Sequence, residues 1–324
     1  MMEWIPDHRI KHLLDLVDRP DFSGTKYELN DEIGRGGMGT VYLAEDQELS
    51  RQVAIKVLNA VDVAPEIQRR MRREAEIIAR LEHPGIVPVH DVGQLDDGRV
   101  FYVMKYVRGR RLDEHLDESL TINERLRLFR IACEAVAFAH AHGVIHRDLK
   151  PENIMVGPFG EVLVMDWGIA KVLDDAGGKE GPVLSANLIL ESGKTGDGMI
   201  LGTPAYMSPE QSRGEIENID RRSDVYALGA ILRFLITYSK MEKTPKRLVA
   251  ICRKAMSLER EDRYLDAQAL ASEIDCYLDG RPVVAYQENV IELAGRWADR
   301  HRFIVLLVLA YILMRIILIF AAGR

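Results

Sequence analysis

Several residue types that mark whole classes of protein are scarce in this chain. Its 324 residues include three cysteines, Cys133, Cys252 and Cys276. They are far apart, odd in number and lack metal-ligand spacing, which excludes a disulfide framework and a cysteine-built metal site. They read as small apolar core residues in a reducing compartment. Basic charge is also short: 43 Lys and Arg stand against 50 Asp and Glu, a net charge of −7. That balance argues against the basic face nucleic acid needs, so no nucleic-acid partner is expected. The opening stretch MMEWIPDHRIKHLLDL is charged and has no apolar centre, so no signal peptide is expected. No internal repeat is present.

What is present is globular in texture, with 47% hydrophobic and 29% charged residues, enough for one two-lobed domain or two small ones. Residues 1–26 form a short extension, in which Ile10, Leu13, Leu14 and Val17 share one helix face and Pro20 ends it. From Tyr27 to about Leu58 the pattern is strand-like, with Val41-Tyr42-Leu43 after a glycine-rich turn and Val53-Ala54-Ile55 as a second apolar run. Residues 65–81 read as an amphipathic helix through Met71, Ile77, Ile78 and Leu81, stopped by His83-Pro84-Gly85. Strand signals follow at 86–92 and 100–107, then a long helix over 122–142. A β-rich first third ahead of a helical remainder predicts an α+β architecture in two lobes. Residues 174–200, rich in Gly, Ser, Asp, Lys and Thr, read as a long functional loop.

Four motifs carry chemistry. The run Gly34-Arg35-Gly36-Gly37-Met38-Gly39-Thr40-Val41 lets a backbone approach a phosphate closely. Because a strand rather than a helix follows, it does not read as a dinucleotide fingerprint. Val53-Ala54-Ile55-Lys56 puts a lysine at the end of a buried strand, where it needs an anionic partner; Glu74 in Arg72-Arg73-Glu74-Ala75 is the candidate. His146-Arg147-Asp148-Leu149-Lys150-Pro151-Glu152-Asn153 is the strongest local signal. Asp148 can take a proton from an attacking hydroxyl, Lys150 can neutralise a transferring phosphoryl group, and Asn153 offers a carbonyl oxygen to a hard cation. Asp166-Trp167-Gly168, after the strand Val162-Leu163-Val164-Met165 and the hairpin Gly157-Pro158-Phe159-Gly160, adds a carboxylate for the same metal.

Downstream lie Gly202-Thr203-Pro204-Ala205-Tyr206-Met207-Ser208-Pro209-Glu210 and Asp224-Val225-Tyr226-Ala227-Leu228-Gly229. In order and spacing these pieces resemble the protein kinase signature set over residues 27 to 280, and look closest to the bacterial serine/threonine kinases of eukaryotic type. The resemblance implies a small β-rich N-lobe (27–106) and a larger helical C-lobe (107–280). It implies ATP as phosphoryl donor and Mg2+ as cofactor, with Mn2+ as an alternative. Gly34, Gly36 and Gly39 would roof the phosphates, with Ile33, Arg35, Gly37 and Met38 also ATP-binding. Val41 and Ala54 would cover adenine from above and Met155 from below, with Met104 as gatekeeper and Lys105, Tyr106 and Val107 as hinge. Lys56 with Glu74, Asp148 and Lys150 would be catalytic; Asn153 and Asp166 would hold metal. Glu210 would pair with Arg263, Asp224 would tie a C-lobe helix to the catalytic loop, and Ile78, His146 and Trp167 would stack as a spine. Lys150 two residues after Asp148 implies Ser/Thr acceptors on protein substrates, with Thr203 bridging Asp148 and Lys150. Arg147 implies control by a phosphate in the activation loop, at Ser185, Ser192 or preferably Thr195, with self-association for autophosphorylation.

The chain departs from the family pattern at Trp167 (for phenylalanine), Ser208 (for alanine) and Lys105 (for an acidic residue). Between the Asp224 helix and the Leu248-Val249-Ala250-Ile251-Cys252 helix only a short segment remains, so the substrate-docking helix G is expected to be truncated or missing. After a juxtamembrane stretch (281–302) with Arg296, Arg300, His301 and Arg302, the run from Phe303 to Ala322 has transmembrane length, interrupted once by Arg315. The flanking positive charge predicts a single-pass membrane protein with its kinase domain cytoplasmic, and with only Gly323 and Arg324 beyond no external sensor domain is expected. Two rival readings stay open: a pseudokinase, which the presence of Lys56, Asp148, Asn153 and Asp166 disfavours, and a small-molecule kinase, which Gly202-Thr203-Pro204 disfavours.

Overall fold

The computed structural model describes residues 19–36, 39–58, 72, 75–76, 78–117, 119–167, 171–172, 205–238, 244–289, 292, 297 and 301–322, with backbone alone at 171–172, 216, 302 and 316–322. The first lobe is one antiparallel sheet of β1 (Tyr27–Gly36), β2 (Gly39–Asp46), β3 (Arg51–Leu58), β4 (Val89–Gln94) and β5 (Val100–Lys105), in the order β1-β2-β3-β5-β4. Strand alternation assigns its two faces. Val53, Ile55 and Val57 join Tyr27, Tyr42, Phe101 and Val103 in an outer core. Ala54 turns the other way and packs with Met104, Val107 and Leu163. The same parity sends Lys56 to the inner face, towards the second lobe.

The second lobe begins with β6 (Arg110–Arg111) and α1 (Leu112–His115), followed by α2 (Ile122–Ala141). Thr121 and Glu124 form a capping box at the start of α2, satisfying backbone donors that the first turn leaves over. Then come β7 (Val144–Ile145), a 3-10 turn over Pro151–Asn153, β8 (Ile154–Val156), β9 (Val162–Val164) and β10 (Lys171–Val172). The helices α3 (Pro209–Ser212), α4 (Arg221–Thr237), α5 (Lys246–Ala255) and α6 (Ala267–Leu278) complete the lobe. Val225, Leu228, Ile231, Leu232 and Leu235 of α4 are sealed in the core with Phe129 and Val136 of α2 and Leu270 and Ile274 of α6. At roughly 1.5–3 kcal/mol for each large side chain withdrawn from water, α4 is the axis of the lobe. The architecture is α+β in two lobes.

Of the helix read over 65–81, Arg72, Ala75, Glu76 and Ile78 are helical, and Ile78 and Leu81 are buried. Met71 and Ile77 fall outside the described residues, as do Ile10, Leu13, Leu14, Val17 and the loop 174–200. Between α4 and α5 the described residues Tyr238, Thr244 and Pro245 are not helical, and 239–243 lie outside the description. Tyr238 ties the connection down by donating its hydroxyl to the Leu116 carbonyl at 2.7 Å. Beyond α6 the chain stays on the body: Val283 is buried, and Glu273 accepts the backbone N–H groups of Val284 and Ala285 at 2.8 and 3.0 Å.

A last helix, α7, runs from Arg302 to Ala322 with Phe303, Leu306, Leu307 and Leu313 exposed. Against the transmembrane expectation for 303–322, no helix is long and apolar enough to cross a membrane among the described residues. The described side chains of α7 run from Phe303 to Arg315 and include that charge.

Candidate active site

The loop after β7 is built around a buried carboxylate. Asp224, in the first turn of α4, accepts the backbone N–H of His146 at 2.8 Å on Oδ2 and that of Arg147 at 2.8 Å on Oδ1. His140 of α2 adds a ring contact to Oδ2 at 2.9 Å. Burial opposes the Asp224 charge, but the hydrogen bonds from His140 and His146 outweigh it and hold its pKa below the ordinary carboxylate value. This grip supports a bend that few residues adopt: Arg147 has φ +69°. His146 Nδ1 lies 3.3 Å from the Asp148 N–H and Nε2 lies 2.9 Å from the Met165 carbonyl. The first contact needs an acceptor and the second a donor, so the ring is the neutral Nε2–H tautomer.

The loop then presents its polar groups together. Lys150 Nζ donates to Asp148 Oδ2 at 2.9 Å. The Asn153 amide nitrogen donates to the Asp148 carbonyl at 2.7 Å and to Oδ2 at 3.0 Å. With its nitrogen thus committed, the remaining polar atom of the Asn153 side chain is the carbonyl oxygen. Asp166 follows β9 with φ +58°, a second strained residue at the site. Its side chain is 42% exposed and pairs with Lys56 Nζ across the lobes. Trp167 is buried, packs against His146 with ring centroids 4.6 Å apart and planes tilted by 51°, and shares a core cluster with Ile78.

Lys56 is the charged floor of the inner sheet face. Burial alone would lower its pKa; Tyr102 and Asp166 outweigh that and raise it above the ordinary lysine value. Tyr102 faces Lys56 in the β3–β5 register. The Tyr102 hydroxyl is itself pushed up to about 12 by burial, so at neutral pH it is uncharged and Asp166 is the ionic partner. Glu74, expected to pair with Lys56, lies outside the described residues.

Above this floor Val41, Ala54, Met104, Val107 and Met155 form one apolar cluster with Val87 and Leu163, a slot drawn from both lobes. Lys105 points its side chain to solvent, and its N–H is taken by the Pro88 carbonyl at 3.1 Å. Gly36 pairs with Gly39 across the β1–β2 turn, whose tip, Gly37 and Met38, is outside the described residues. A Cβ on Gly39 would collide with the Val57 carbonyl, whereas one on Gly36 would meet nothing within 4 Å and one on Gly34 only Val41 at 3.9 Å. Gly39 is therefore required by the sheet, while Gly34 and Gly36 leave an open approach. Ile33 is exposed, and Arg35 is bidentate with Glu32 at 2.7 and 2.9 Å rather than turned to the cleft.

The structure gathers Asp148, Lys150 and Asn153 in one group and Lys56 and Asp166 in another, linked where the Met165 N–H donates to the Asn153 backbone carbonyl at 2.8 Å. Thr195, Thr203 and Gly168 lie outside the described residues, as do Ser185 and Ser192. Glu210 and Arg263 form a sealed pair at 2.8 and 2.9 Å. Sequence reasoning overlooked Tyr102, His140 and Gln211. Gln211 carries a local signal, because Ser208-x-x-Gln211 has capping-box spacing. The described residues contain no cluster of three His, Cys, Asp or Glu for a metal. An Asn carbonyl and one carboxylate nevertheless suit a hard cation that takes its other ligands from water and phosphate.

Comparison with known proteins identifies the family. Residues 27–260 match the protein kinase domain. The chain is 42% identical over 318 positions to the serine/threonine-protein kinase PknB of Mycolicibacterium smegmatis, covering 87% of this chain and 48% of that protein. It is 34% identical over 300 positions to PknD of Protochlamydia amoebophila, covering 79% of this chain and 30% of that protein. It thus spans less than half the length of these curated relatives. The crystal structure of the Mycobacterium tuberculosis PknI kinase domain superposes with a TM-score of 0.57 at 26% identity, covering 78% of this chain and 96% of that one. The chain belongs to the protein kinase family, among the bacterial serine/threonine kinases of eukaryotic type.

Proposed function

We propose that this protein transfers the γ-phosphoryl group of ATP to serine and threonine hydroxyls of proteins. The observation that carries the reading is the convergence of Asp148, Lys150 and Asn153 on one loop, opposite Asp166 and Lys56. Asp148 Oδ2, held by Lys150 and Asn153, accepts the proton of the attacking hydroxyl. Lys150, beside that oxygen, offsets charge on the group in transfer. Lys56, now on Asp166, is placed to exchange that partner for nucleotide phosphates, and Asn153 and Asp166 supply oxygen ligands to Mg2+. When bound, the metal neutralises phosphate charge. The apolar slot of Val41, Ala54, Met104 and Met155 accepts a flat base.

The test is incubation of the purified protein with labelled ATP and Mg2+, beside Asp148→Asn. The reading requires label transfer by the parent and a loss of at least about 10²-fold in the variant. Equal labelling of the two, or none with the parent, refutes it.

The same reading extends to regulation and location. Autophosphorylation falls between residues 174 and 203, with Thr195 preferred, and the product phosphate docks on Arg147. The chain is tethered to a membrane through 303–322, its kinase domain on the cytoplasmic side; the supporting features are the apolar run and the Arg296, Arg300 and Arg302 cluster before it.

A further inference from the structure

Gln211 stands outside the motifs that carry phosphotransfer, yet it touches the catalytic loop. Its Oε1 accepts the Ser208 backbone N–H at 3.2 Å and the Ser208 hydroxyl at 2.9 Å. Ser208 is completely buried, so neither contact is exchanged for water. These two donors fix which way the amide faces. Its nitrogen therefore points at the catalytic loop, where it donates to the Arg147 carbonyl at 2.7 Å. Arg147 is the residue with φ +69°, and its own N–H is held at 2.8 Å by Asp224. Both peptide groups of Arg147 are thus gripped, one from α4 and one from α3, and the next residue is Asp148. The Ser208 hydroxyl belongs with this arrangement: alanine would leave the Gln211 amide one fixing donor fewer.

We propose that Gln211 is a positioning residue for Asp148, clamping the Arg147 carbonyl so that the strained bend presents the Asp148 carboxylate to the acceptor hydroxyl. The clamp also couples the turn leading into α3 to the proton-accepting group. This inference rests on the phosphotransfer reading above, and a structural alternative exists in which Gln211 serves only to cap α3 through Ser208. Gln211→Glu separates the two. An ionised glutamate keeps the acceptor oxygen for Ser208 and loses the donor for Arg147; protonated, it regains an O–H that can donate.

The experiment measures transfer to a serine peptide by the full chain and by Gln211→Glu and Gln211→Met between pH 5.5 and 8. Thermal unfolding and hydrogen exchange of the amides of residues 146–149 are followed in parallel. The clamp predicts that at pH 7.5 both variants lose about tenfold in kcat, the worth of one directed hydrogen bond, with KM for ATP within about twofold. The kcat of Gln211→Glu relative to the parent climbs as pH falls, while Gln211→Met stays flat. Exchange at 146–149 quickens about tenfold and exchange in α2 does not. A Gln211→Glu enzyme with parental kcat at pH 7.5, a loss that merely tracks the unfolded fraction, or unchanged exchange at 146–149 overturns the proposal. If Gln211→Met does not fold, the pH course of Gln211→Glu decides. If the parent transfers no phosphate, the phosphotransfer reading falls, and the exchange result alone decides for or against the clamp.

Discussion

Replacing Arg263 with methionine should reverse the sign with which one carboxyl group responds to pH. In the parent, Glu210 accepts two N–H bonds from Arg263 at 2.8 and 2.9 Å and the Ser223 hydroxyl at 2.7 Å. The two side chains are 0% and 1% exposed. Burial alone would push the Glu210 pKa up; the bonds from Arg263 and Ser223 reverse that and bring it from 4.5 to about 2. At about 1.4 kcal/mol for each tenfold change in proton affinity, that lowering draws roughly 3 kcal/mol of folding stability from the ionised form. Because the folded pKa is the lower one, this contribution is whole above pH about 4.5 and drains away towards pH about 2. In Arg263→Met the burial remains and the cation is gone, so the folded pKa rises above the unfolded one. The variant therefore gains stability as pH falls from 7 to about 5, where the parent gains none. At neutral pH, breaking a buried pair costs about 3–5 kcal/mol, which lowers Tm by about 6–20 °C in a domain of this size. Urea and thermal unfolding of both proteins at pH 7.5, 5.5 and 4.5 check this. A cost under about 1 kcal/mol at pH 7.5, or a parent–variant gap that does not narrow with acid, would show that Glu210 is not held as described.

Three further outcomes follow from the site. Gly39→Ala should unfold the first lobe or lower Tm by several degrees through its collision with Val57, whereas Gly36→Ala should keep the parental Tm and raise KM for ATP; differential scanning and initial rates distinguish them. Asp224→Asn puts a donor against the N–H groups of Arg147 or His146, and should cost about 2–4 kcal/mol in urea unfolding with about 10²-fold in kcat at temperatures where it stays folded. Removal of residues 303–324 should move the protein from a detergent-released fraction, resistant to salt and carbonate, to the supernatant; an intact chain already in the supernatant defeats the membrane reading.

The apolar run of β3, buried on both faces, and the helical run of α2, buried along one, were legible because each is a local pattern. The loop from His146 to Asn153 was legible for a similar reason: its working groups are neighbours in the chain. Contacts across long separations were not. Lys56 reads as needing an anion, and Glu74 is the nearest candidate in a helix, but the described partner is Asp166, delivered by lobe packing from 110 positions away. Gln211 announces a capping box by its spacing from Ser208, yet nothing in that spacing points to the Arg147 carbonyl 64 positions away. The segment after α6 reads in sequence as a juxtamembrane stretch that leaves the domain, with Arg296, Arg300, His301 and Arg302 near its end. What holds it is the Glu273 carboxylate meeting backbone N–H groups, a contact with no side-chain signature at 284 and 285.

The acidic residues at the centre of the molecule divide by burial into those that hold and those that act. Asp224 and Glu210 are each 1% exposed and each receives three directed donors, a number that satisfies a carboxylate and leaves it little to offer a ligand. Asp148 and Asp166 keep 31% and 42% of their side chains exposed and are held mainly by lysines. A lysine contact is a point charge that can be traded for phosphate, whereas backbone N–H groups fixed in a loop cannot move away. The positive φ at Arg147 and Asp166 costs about 1–3 kcal/mol each. Charge-assisted bonds to a buried carboxylate, about 1.5–3 kcal/mol each, are of the size needed to hold the Arg147 bend. Removing a donor from the buried acids should therefore cost stability first and rate second, while removing a lysine from the open acids should cost rate with the fold intact.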